Sequence, residues 1–303
     1  MFELRQDADA YCTKSAIVLI ASRSGWAFVR LFHVGCVLIA IGQSPAFAQA
    51  TPNATANYAT PLDTVFKIRE VPNAAFDVGE KLTFIVRYGP IVAGNARLSI
   101  PDMVEVNGRK CYRIVSEAWS NSFFSKFYKV EDRIQSFTDI TGIFSWRFEK
   151  KQHEGSFRDE QLVEFDHRAG LAITTKKTKR DTVKVPAFVQ DVLSAMYYIR
   201  TLDFAPGDSI FVDNHADNKI YPLKIVVYRK EKVSTRAGKF ECYVVEPLLK
   251  TPGLFQQKGR VVVHLTADKR KIPVLMTSQI YVKAFDLGSV VVELEKMEGA
   301  LAK

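Results

Sequence analysis

One amphipathic helix among many short strands is the feature that most constrains what this chain can fold into. Residues 186–204 (PAFVQDVLSAMYYIRTLDF) are predicted to form that helix, because Pro186 suits a first turn and Pro206 ends the segment. Its apolar residues recur at helical spacing and form one stripe: Phe188, Val192, Ala195, Met196, Ile199 and Leu202. Since no other convincing helix follows the N-terminal region, this stripe has to pack on a sheet.

Strand patterns surround the helix on both sides. Residues 80–88 (EKLTFIVRY) alternate between apolar and polar side chains, which is typical of a strand with one buried face. A similar alternation predicts that Phe144, Trp146 and Phe148 share one face of a later strand. Such segments recur about every eight to twelve residues, a spacing typical of antiparallel sheets.

Turn signals separate these predicted strands. The pair Asn107-Gly108 is the strongest two-residue hairpin signal, and the basic residues 176–180 are predicted to form a solvated hairpin tip. The sequence lacks the helices that would connect parallel strands, which excludes a parallel α/β fold. The prediction is therefore a mainly β fold: a large antiparallel sheet, curled or closed into a barrel, with one amphipathic helix packed on it.

The first 48 residues are predicted to contain a secretory signal peptide that is removed from the mature protein. Arg30 precedes a short apolar run at residues 31–41, and an A-x-A site ends at Ala48, where we expect cleavage, with Ala50 as the alternative. The apolar run is too short to span a bilayer. The residues upstream do not belong to the signal, so we expect translation to start at Val29.

Export and charge together define the expected location and partners. The signal predicts passage across the inner membrane to the periplasm, with no transmembrane span, and Cys36 lacks the context of a lipid-anchored cysteine. Residues 49–70 are predicted to be a flexible leader and residues 71–303 a single β-rich domain. The net charge of +9 fits either simple solubility or an anionic surface, and no nucleic-acid-binding module is visible.

No catalytic or cofactor signature occurs in the sequence. It contains no G-x-S-x-G, Walker, H-E-x-x-H or dinucleotide-binding motif, and no two histidines stand at metal-ligand spacing, so we expect no cofactor and no metal. Cys111 and Cys242 each stand at the start of a hairpin's second strand. In an oxidising compartment they could form a disulfide, or they could be two separately buried thiols.

Two groups of residues are candidates for a binding role. Aromatic side chains are densest at a polar kink, where they could line a pocket for a lipid or sugar or simply fill the core: Trp119, Phe123, Phe124, Phe127 and Tyr128. The helix adds Tyr197 to this candidate ligand-binding set. We expect the helix residues Gln190, Asp191 and Arg200 to anchor it to strand ends, with a role in a site as the alternative.

Three ordered motifs resemble a known family. They are F-D-V-G-E-K-L-T-F-I-V-R-Y-G with A-G-N-A at residues 76–96, Q-D-V-L-S-A-M-Y-Y-I-R at 190–200, and L-T-A-D-K-R-K-I-P-V-L at 265–275. Together they resemble the domain of unknown function family DUF3108, over residues 76–299. The resemblance implies an exported, largely β protein of the bacterial envelope, with no assigned activity and no catalytic residues to transfer. Ala267 stands where family members usually have an acidic residue.

Three functions are compatible with these features. The favoured hypothesis is a non-enzymatic envelope protein that binds or carries a hydrophobic or amphiphilic ligand, or a partner protein. The alternative is a hydrolase of envelope glycan or lipid that uses Asp132, Asp139 or Glu154, which requires two carboxyl groups about 5 to 9 Å apart. A structural or assembly factor without a small ligand is the third. The sequence makes no prediction of oligomeric state.

Overall fold

One antiparallel sheet of 15 strands dominates the structure, a computed structural model that describes residues 66–249, 260–282 and 285–299. The strands are β1 (Lys81–Tyr88), β2 (Ile91–Ser99), β3 (Met103–Val106), β4 (Arg109–Ser120), β5 (Val130–Asp139), β6 (Ser145–Glu154), β7 (Phe157–Asp166), β8 (Leu171–Lys176), β9 (Lys179–Lys184), β10 (Ser209–Ala216), β11 (Lys219–Thr235), β12 (Gly238–Leu249), β13 (Val261–Thr266), β14 (Pro273–Val282) and β15 (Phe285–Glu298). The predicted signal peptide, its cleavage site at Ala48, and Cys36 lie outside the described residues.

The strand order is β10-β11-β12-β13-β14-β15-β1-β2-β4-β5-β6-β7-β8-β9, and β3 pairs only with β4. In the described part of the chain, the two edge strands β9 and β10 are not paired with each other, so the sheet does not close. Side chains still join its edges, because Asn218 Nδ2 donates to Asp181 Oδ2 at 3.3 Å. The predicted mainly β, antiparallel fold is confirmed, and the described residues contain one α-helix.

The helix α1 (Val192–Thr201) is shorter than predicted at both ends. Its N-cap is Asp191, whose carboxylate accepts the backbone N–H groups of Leu193 and Ser194 at 2.8 and 2.9 Å. The residues before the cap cannot continue the helix, since Phe188 has a φ of 61° and the backbone of Gln190 pairs with β10. The apolar stripe is therefore only partly helical.

Local turn chemistry explains two further outcomes. The hairpin signal Asn107-Gly108 is confirmed, because both residues have positive φ, 53° and 72°, and connect β3 to β4. The basic segment at residues 176–180 forms a tighter turn than expected. Lys177 takes a left-handed φ of 52°, which reverses the chain at once and lets β9 begin at Lys179.

The faces of the sheet are identified by the helix. Ser136 Oγ of β5 donates to Asp191 Oδ2 at 2.6 Å, so the face of β5 that carries Ser136 is the one that α1 covers, which we call the inner face. The main core lies on this face and includes most of the helix. Buried side chains from both elements fill it, among them Phe84, Ile134, Phe148, Val163, Leu193, Ala195, Met196 and Ile199.

The prediction that Phe144, Trp146 and Phe148 share one face of a strand is wrong. Phe148 packs in the main core, whereas Phe144 and Trp146 belong to a separate cluster with Cys111 and Phe137. The register of β5 and β6 shifts between Phe137 and Thr138. Such a bulge inserts a residue and turns the following side chains to the other face, which periodicity alone does not reveal.

Five described turns form one end of the sheet, which we call the rim. They are β1–β2, β4–β5, β6–β7, β8–β9 and β10–β11. Hydrogen bonds link the first three, because Asn121 N donates to Ala93 O at 3.0 Å and Gly155 N donates to Lys129 O at 2.8 Å. An ion pair links the last two, because Lys176 Nζ, beside the β8–β9 turn, lies 4.0 Å from Asp217. The five turns therefore stand at the same end of the sheet.

Candidate functional site

The structure separates the aromatic residues that the sequence suggested as one pocket. Trp119 lies on the outer face of β4, where the guanidinium of Arg97 stands 5.4 Å from the centre of its ring. Phe123 contacts Phe124 and Phe127 on the β4–β5 loop, with ring centroids 5.6 and 5.5 Å apart. Tyr197, by contrast, is fully buried on α1. These five side chains do not line a common space.

Tyr197 belongs to a buried ion pair at the C-terminal end of α1. Arg200 donates to both carboxylate oxygens of Glu80, at 2.7 and 2.6 Å, and the Tyr197 hydroxyl donates to Glu80 Oε1 at 3.0 Å. Arg200 also donates to the carbonyls of Ala75 and Arg270. Burial alone would lower the pKa of Arg200, but the adjacent Glu80 carboxylate raises it, so the guanidinium stays charged.

The N-terminal end of α1 is held by Gln190 and Asp191. Gln190 Nε2 donates to Ile143 O at 2.7 Å, and Asp191 accepts from Ser136 as well as from the first turn of the helix. Burial raises the pKa of Asp191, while the hydrogen bonds from Ser136 and the first-turn N–H groups act in the opposite direction. These contacts, with those of Arg200, are the ones that an anchoring role requires.

Asp139, one of the three candidate catalytic acids, is saturated by structural hydrogen bonds. It accepts two from Arg109 at 2.9 and 3.1 Å and one from Trp146 Nε1 at 3.0 Å. The backbone N–H groups of Thr141 and Gly142 donate to it at 2.9 Å each. Burial raises the pKa of Asp139, but these donors outweigh it and the net shift is downward. Such a carboxylate has no lone pair left for proton transfer.

The other two candidate acids lie together on the inner face near the rim. Asp132 on β5 pairs in register with Gln152 on β6, which pairs with Asp159 on β7. Glu154 follows two residues after Gln152 on the same face. We call this polar half of the inner face the ionic wall; its members are Asp132, Lys150, Gln152, Glu154, Asp159, Gln161, Thr174 and Lys176.

Asp159 is the centre of the ionic wall. Lys150 Nζ lies 2.7 Å from Asp159 Oδ2, and Lys176 Nζ lies 3.2 Å from Asp159 Oδ1. Burial raises the pKa of Asp159, but the two ammonium groups overcome this and lower it, so the carboxylate is ionised. One anion thus holds two cations on the inner face.

Glu154 and Asp132 form a carboxyl pair beside this network. Burial is the largest cause that raises the pKa of Glu154, to about 9, followed by the charge of Asp132 and a hydrogen bond between the two carboxyl groups, while Lys150 acts in the opposite direction. Glu154 is therefore protonated at neutral pH. Both carboxyl groups are buried, Asp132 at 3% exposure and Glu154 at 1%, so neither is presented to solvent as the paired acids of a glycosidase cleft are.

Several atoms near this wall have hydrogen-bonding capacity that the described protein atoms do not use. Gln161 Oε1 and Thr174 Oγ1 are buried without a hydrogen-bond partner, and so are both amide atoms of Asn214 on β10. Buried polar atoms are nearly always hydrogen-bonded, because burying one without a partner costs roughly 1–3 kcal/mol. Water or a bound polar group is the expected partner at these positions.

The neighbouring half of the inner face is apolar. One row of directly paired residues crosses six adjacent strands and changes character midway: Phe84, Ala96 and Ala118, then Asp132, Gln152 and Asp159. The apolar side chains in this row are small on β2 and β4. Beside them Gly94 lies so close to β4 that an added Cβ would stand 2.2 Å from the Trp119 carbonyl oxygen. Small residues thus adjoin the ionic wall.

Cys111 and Cys242 are not bonded to each other and lie in different parts of the core. Cys111 packs with Phe137, Phe144 and Trp146, whereas Cys242 belongs to the main core. Burial raises the pKa of Cys111 to about 12 and that of Cys242 to about 11. Their thiols are therefore protonated and unreactive at neutral pH, as separately buried thiols should be.

Two properties of the described residues concern metals and membranes. Within residues 66–249, 260–282 and 285–299, no group of three or more His, Cys, Asp or Glu side chains is placed to hold a metal ion. Over the same ranges, α1 is too short to cross a bilayer, and no helix that is long and apolar enough occurs.

Two solved structures match this chain at low sequence identity. A β-barrel-like protein of the domain of unknown function DUF1849 from Brucella abortus aligns with 77% of this chain and 100% of its own, at 11% identity and a TM-score of 0.50. A protein described as exported, with a YmcC-like fold, from Bacteroides fragilis covers 76% and 99% at 14% identity, with a TM-score of 0.27. The first of these supports the barrel-like architecture.

The sequence comparison defines the family. Among curated proteins, none matches the chain. The model of the family described as "Protein of unknown function (DUF3108)" matches residues 83–295, a span from β1 to β15 that includes the helix and the whole ionic wall. The chain therefore belongs to the DUF3108 family.

Proposed function

We propose that this protein is a non-enzymatic binding protein of the cell envelope that carries an amphiphilic ligand on the inner face of its sheet. The observation that carries the proposal is the row in which Phe84, Ala96 and Ala118 continue directly into Asp132, Gln152 and Asp159. An apolar surface beside a buried polar one matches a molecule with an apolar tail and a polar head.

The unsatisfied atoms of the ionic wall support this choice. Gln161 Oε1 and Thr174 Oγ1 could accept hydrogen bonds from the head of such a ligand, or from waters that it displaces. Lys150 and Lys176 supply cationic donors next to them. A protein whose inner face served only to fill its core would gain stability from apolar residues at these positions.

The predicted secretory signal supports a location in the periplasm, where lipids and other amphiphiles need a water-excluding carrier. The hydrolase alternative is less well supported, because Asp139 is fully hydrogen-bonded and the carboxyl groups of Asp132 and Glu154 are both buried. An assembly factor without a small ligand remains an outcome of the test.

Native mass spectrometry of gently purified protein tests the proposal, followed by titration with a dansyl-labelled fatty acid and with lysophosphatidylethanolamine. We expect a co-purified hydrophobic adduct, or saturable uptake of a probe with a blue shift of dansyl emission. A protein that neither carries nor takes up any such molecule would overturn the carrier function.

The chain offers a matched pair of variants for the same experiment. Lys150→Met alters the ionic wall, whereas Lys151→Met makes the same change on the outer face of β6. We expect the first variant to weaken probe binding about tenfold or more and the second to leave it unchanged. Equal affinities for both variants would place the ligand elsewhere.

A further inference from the structure

An exposed apolar surface stands on the rim. Of the seven large hydrophobic side chains that are exposed in the described residues, four lie at the β1–β2 turn and the β4–β5 loop. Ile91 is 52% exposed, Val92 38%, Phe123 60% and Phe127 72%. We call these four residues the aromatic tip. The other three, Met103, Phe211 and Tyr228, lie on separate strands.

The loop that carries the aromatic tip is held in place by its own hydrogen bonds. Asn121 Nδ2 donates to Val92 O at 2.6 Å, and Asn121 Oδ1 accepts from Phe124 N at 2.9 Å. Phe124 O in turn accepts from the backbone N–H groups of Phe127 and Tyr128 at 2.9 and 2.8 Å. The exposed rings are therefore presented by a fixed turn, which lowers the entropic cost of ordering this loop on binding.

Basic side chains continue along the rim from the aromatic tip. Seven exposed cations lie on or beside the rim turns: Lys126, Lys129, Arg158, Lys177, Lys179, Arg180 and Lys219. Two of them have carboxylate partners, since Lys129 pairs with Glu131 at 2.9 Å and Lys179 with Asp181 at 3.0 Å. The rim thus combines an apolar tip with a positive excess, which is complementary to an anionic lipid surface.

We infer that the aromatic tip and the basic rim dock this protein on an anionic phospholipid bilayer. The four apolar side chains enter the interface between head groups and acyl chains, and the cations contact the phosphates. The inference rests on the proposed function and extends it, because it names the bilayer as the place where the ligand is exchanged.

The position of the ionic wall fits this exchange. Tyr128, two residues before β5, is buried against Gly155, where an added Cβ would lie 2.6 Å from its ring. Burial, followed by the charges of Glu154 and Asp132, raises the pKa of Tyr128, which shows how near the loop lies to both acids. A ligand that leaves a bilayer at the tip would reach the inner face beside the ionic wall.

Co-sedimentation with vesicles tests the docking surface. We expect the full mature chain to bind vesicles of phosphatidylethanolamine and phosphatidylglycerol, to bind pure phosphatidylcholine vesicles weakly, and to dissociate as salt increases. The double variant F123S/F127S should reduce the partition coefficient about tenfold or more, because two phenyl rings no longer leave water. Phe211→Ser, which removes a 58% exposed ring from β10, is the matched control and should bind like the wild type.

Charge reversal provides a second, independent pair of variants. K126E/K177E on the rim should weaken binding to phosphatidylglycerol vesicles about tenfold or more and reduce its salt dependence. K239E/K269E makes the same change of charge at the opposite end of the sheet and should leave both unchanged. Because all four lysines are exposed, each variant should fold, which a thermal melt verifies.

A fluorescent reporter locates the contact directly. Tryptophan emission of Phe127→Trp should shift to shorter wavelength when phosphatidylglycerol vesicles are added, whereas that of Phe211→Trp should not. A wild-type chain that binds neither vesicle, or an F123S/F127S variant that binds as well as the wild type, would overturn the docking surface. Since the fatty-acid titration is carried out without vesicles, loss of docking with intact probe uptake separates a failure of this inference from a failure of the carrier function.

Discussion

Two regions of the molecule bury charged side chains, and they do so in different ways. At the C-terminal end of α1, Arg200 and Glu80 form a closed pair, in which both carboxylate oxygens and the guanidinium have protein partners. On the ionic wall, Lys150 and Lys176 share Asp159, and neighbouring polar atoms such as Gln161 Oε1 have none.

The first region has the contacts that anchoring requires, whereas the second retains the capacity to bind a ligand. Buried charges contribute little net stability even when they are well paired, so neither region is explained by stability alone. The closed pair joins the helix to Glu80, the residue before β1, and its polar atoms are occupied by protein partners. The ionic wall, by contrast, has polar atoms on the inner face without protein partners, and a binding site needs such free hydrogen-bonding capacity.

The largest expected effect is at the closed pair. Glu80→Gln leaves Arg200 buried and charged without an anionic partner, so we expect a loss of roughly 3–5 kcal/mol in the free energy of unfolding. Urea denaturation followed by circular dichroism measures it. Lys81→Met, which removes the exposed pair of Lys81 with Glu298, is the control and should change stability by less than about 0.5 kcal/mol. A mild effect of Glu80→Gln would contradict the anchoring role.

On the ionic wall, the sharpest expectation concerns pH. The pKa of Glu154 in the folded state, about 9, lies above its usual value of 4.5, so the folded chain keeps a proton that the unfolded chain releases. The contribution of Glu154 to stability should therefore fall as pH rises from about 4.5 to 9 and change little below that window. Glu154→Gln should remove this loss and be more stable than the wild type at pH 9 by roughly 1–3 kcal/mol.

Denaturation midpoints at a series of pH values check this expectation. Glu149→Gln, a change of the same type on the outer face of β6, should keep the wild-type dependence on pH. If Glu154→Gln followed the wild-type curve as well, the carboxyl pair would not be buried as described.

A smaller effect on the free energy of unfolding is expected when a cation is removed from the ionic wall. In Lys150→Met, Asp159 keeps Lys176 at 3.2 Å, so no buried charge is left alone and we expect a change of less than about 1.5 kcal/mol. Lys151→Met should change stability by less than about 0.5 kcal/mol. A loss as large as that of Glu80→Gln would show that the two regions do not differ.

The smallest effect is expected at the aromatic tip. Phe127 is 72% exposed, so Phe127→Ser should change the free energy of unfolding by less than about 0.5 kcal/mol in urea denaturation. Phe144→Ser, in the second buried cluster, should cost roughly 3–5 kcal/mol in the same experiment. Equal losses would mean that the tip is part of the core.

Local sequence patterns account for most of the fold. Alternation along β1 and the Asn107-Gly108 turn are local properties, and the structure agrees with the predictions made from them. The helix was located correctly but predicted too long, because the stripe at Phe188 continues in extended backbone that pairs with β10. Helical spacing does not show where a competing strand takes over the backbone hydrogen bonds.

The candidate site was only partly predictable for the same reason. Asp132 and Glu154 were candidate acids on their residue type alone, and no signal in the sequence joins them to Lys150 and Asp159. Their proximity depends on the register of β5, β6 and β7, in which a shift of one residue would move every side chain to the other face.

The sequence by itself determined the class of this protein: its strands, its single helix and its family. Only the tertiary structure decided the roles of individual residues. It turned Phe123 and Phe127 outward to the rim, buried Tyr197 against Glu80, and kept Cys111 and Cys242 apart. The physical reason is that strand patterns arise from neighbours along the chain, whereas burial, pairing and pKa depend on side chains that the sheet brings together from distant positions.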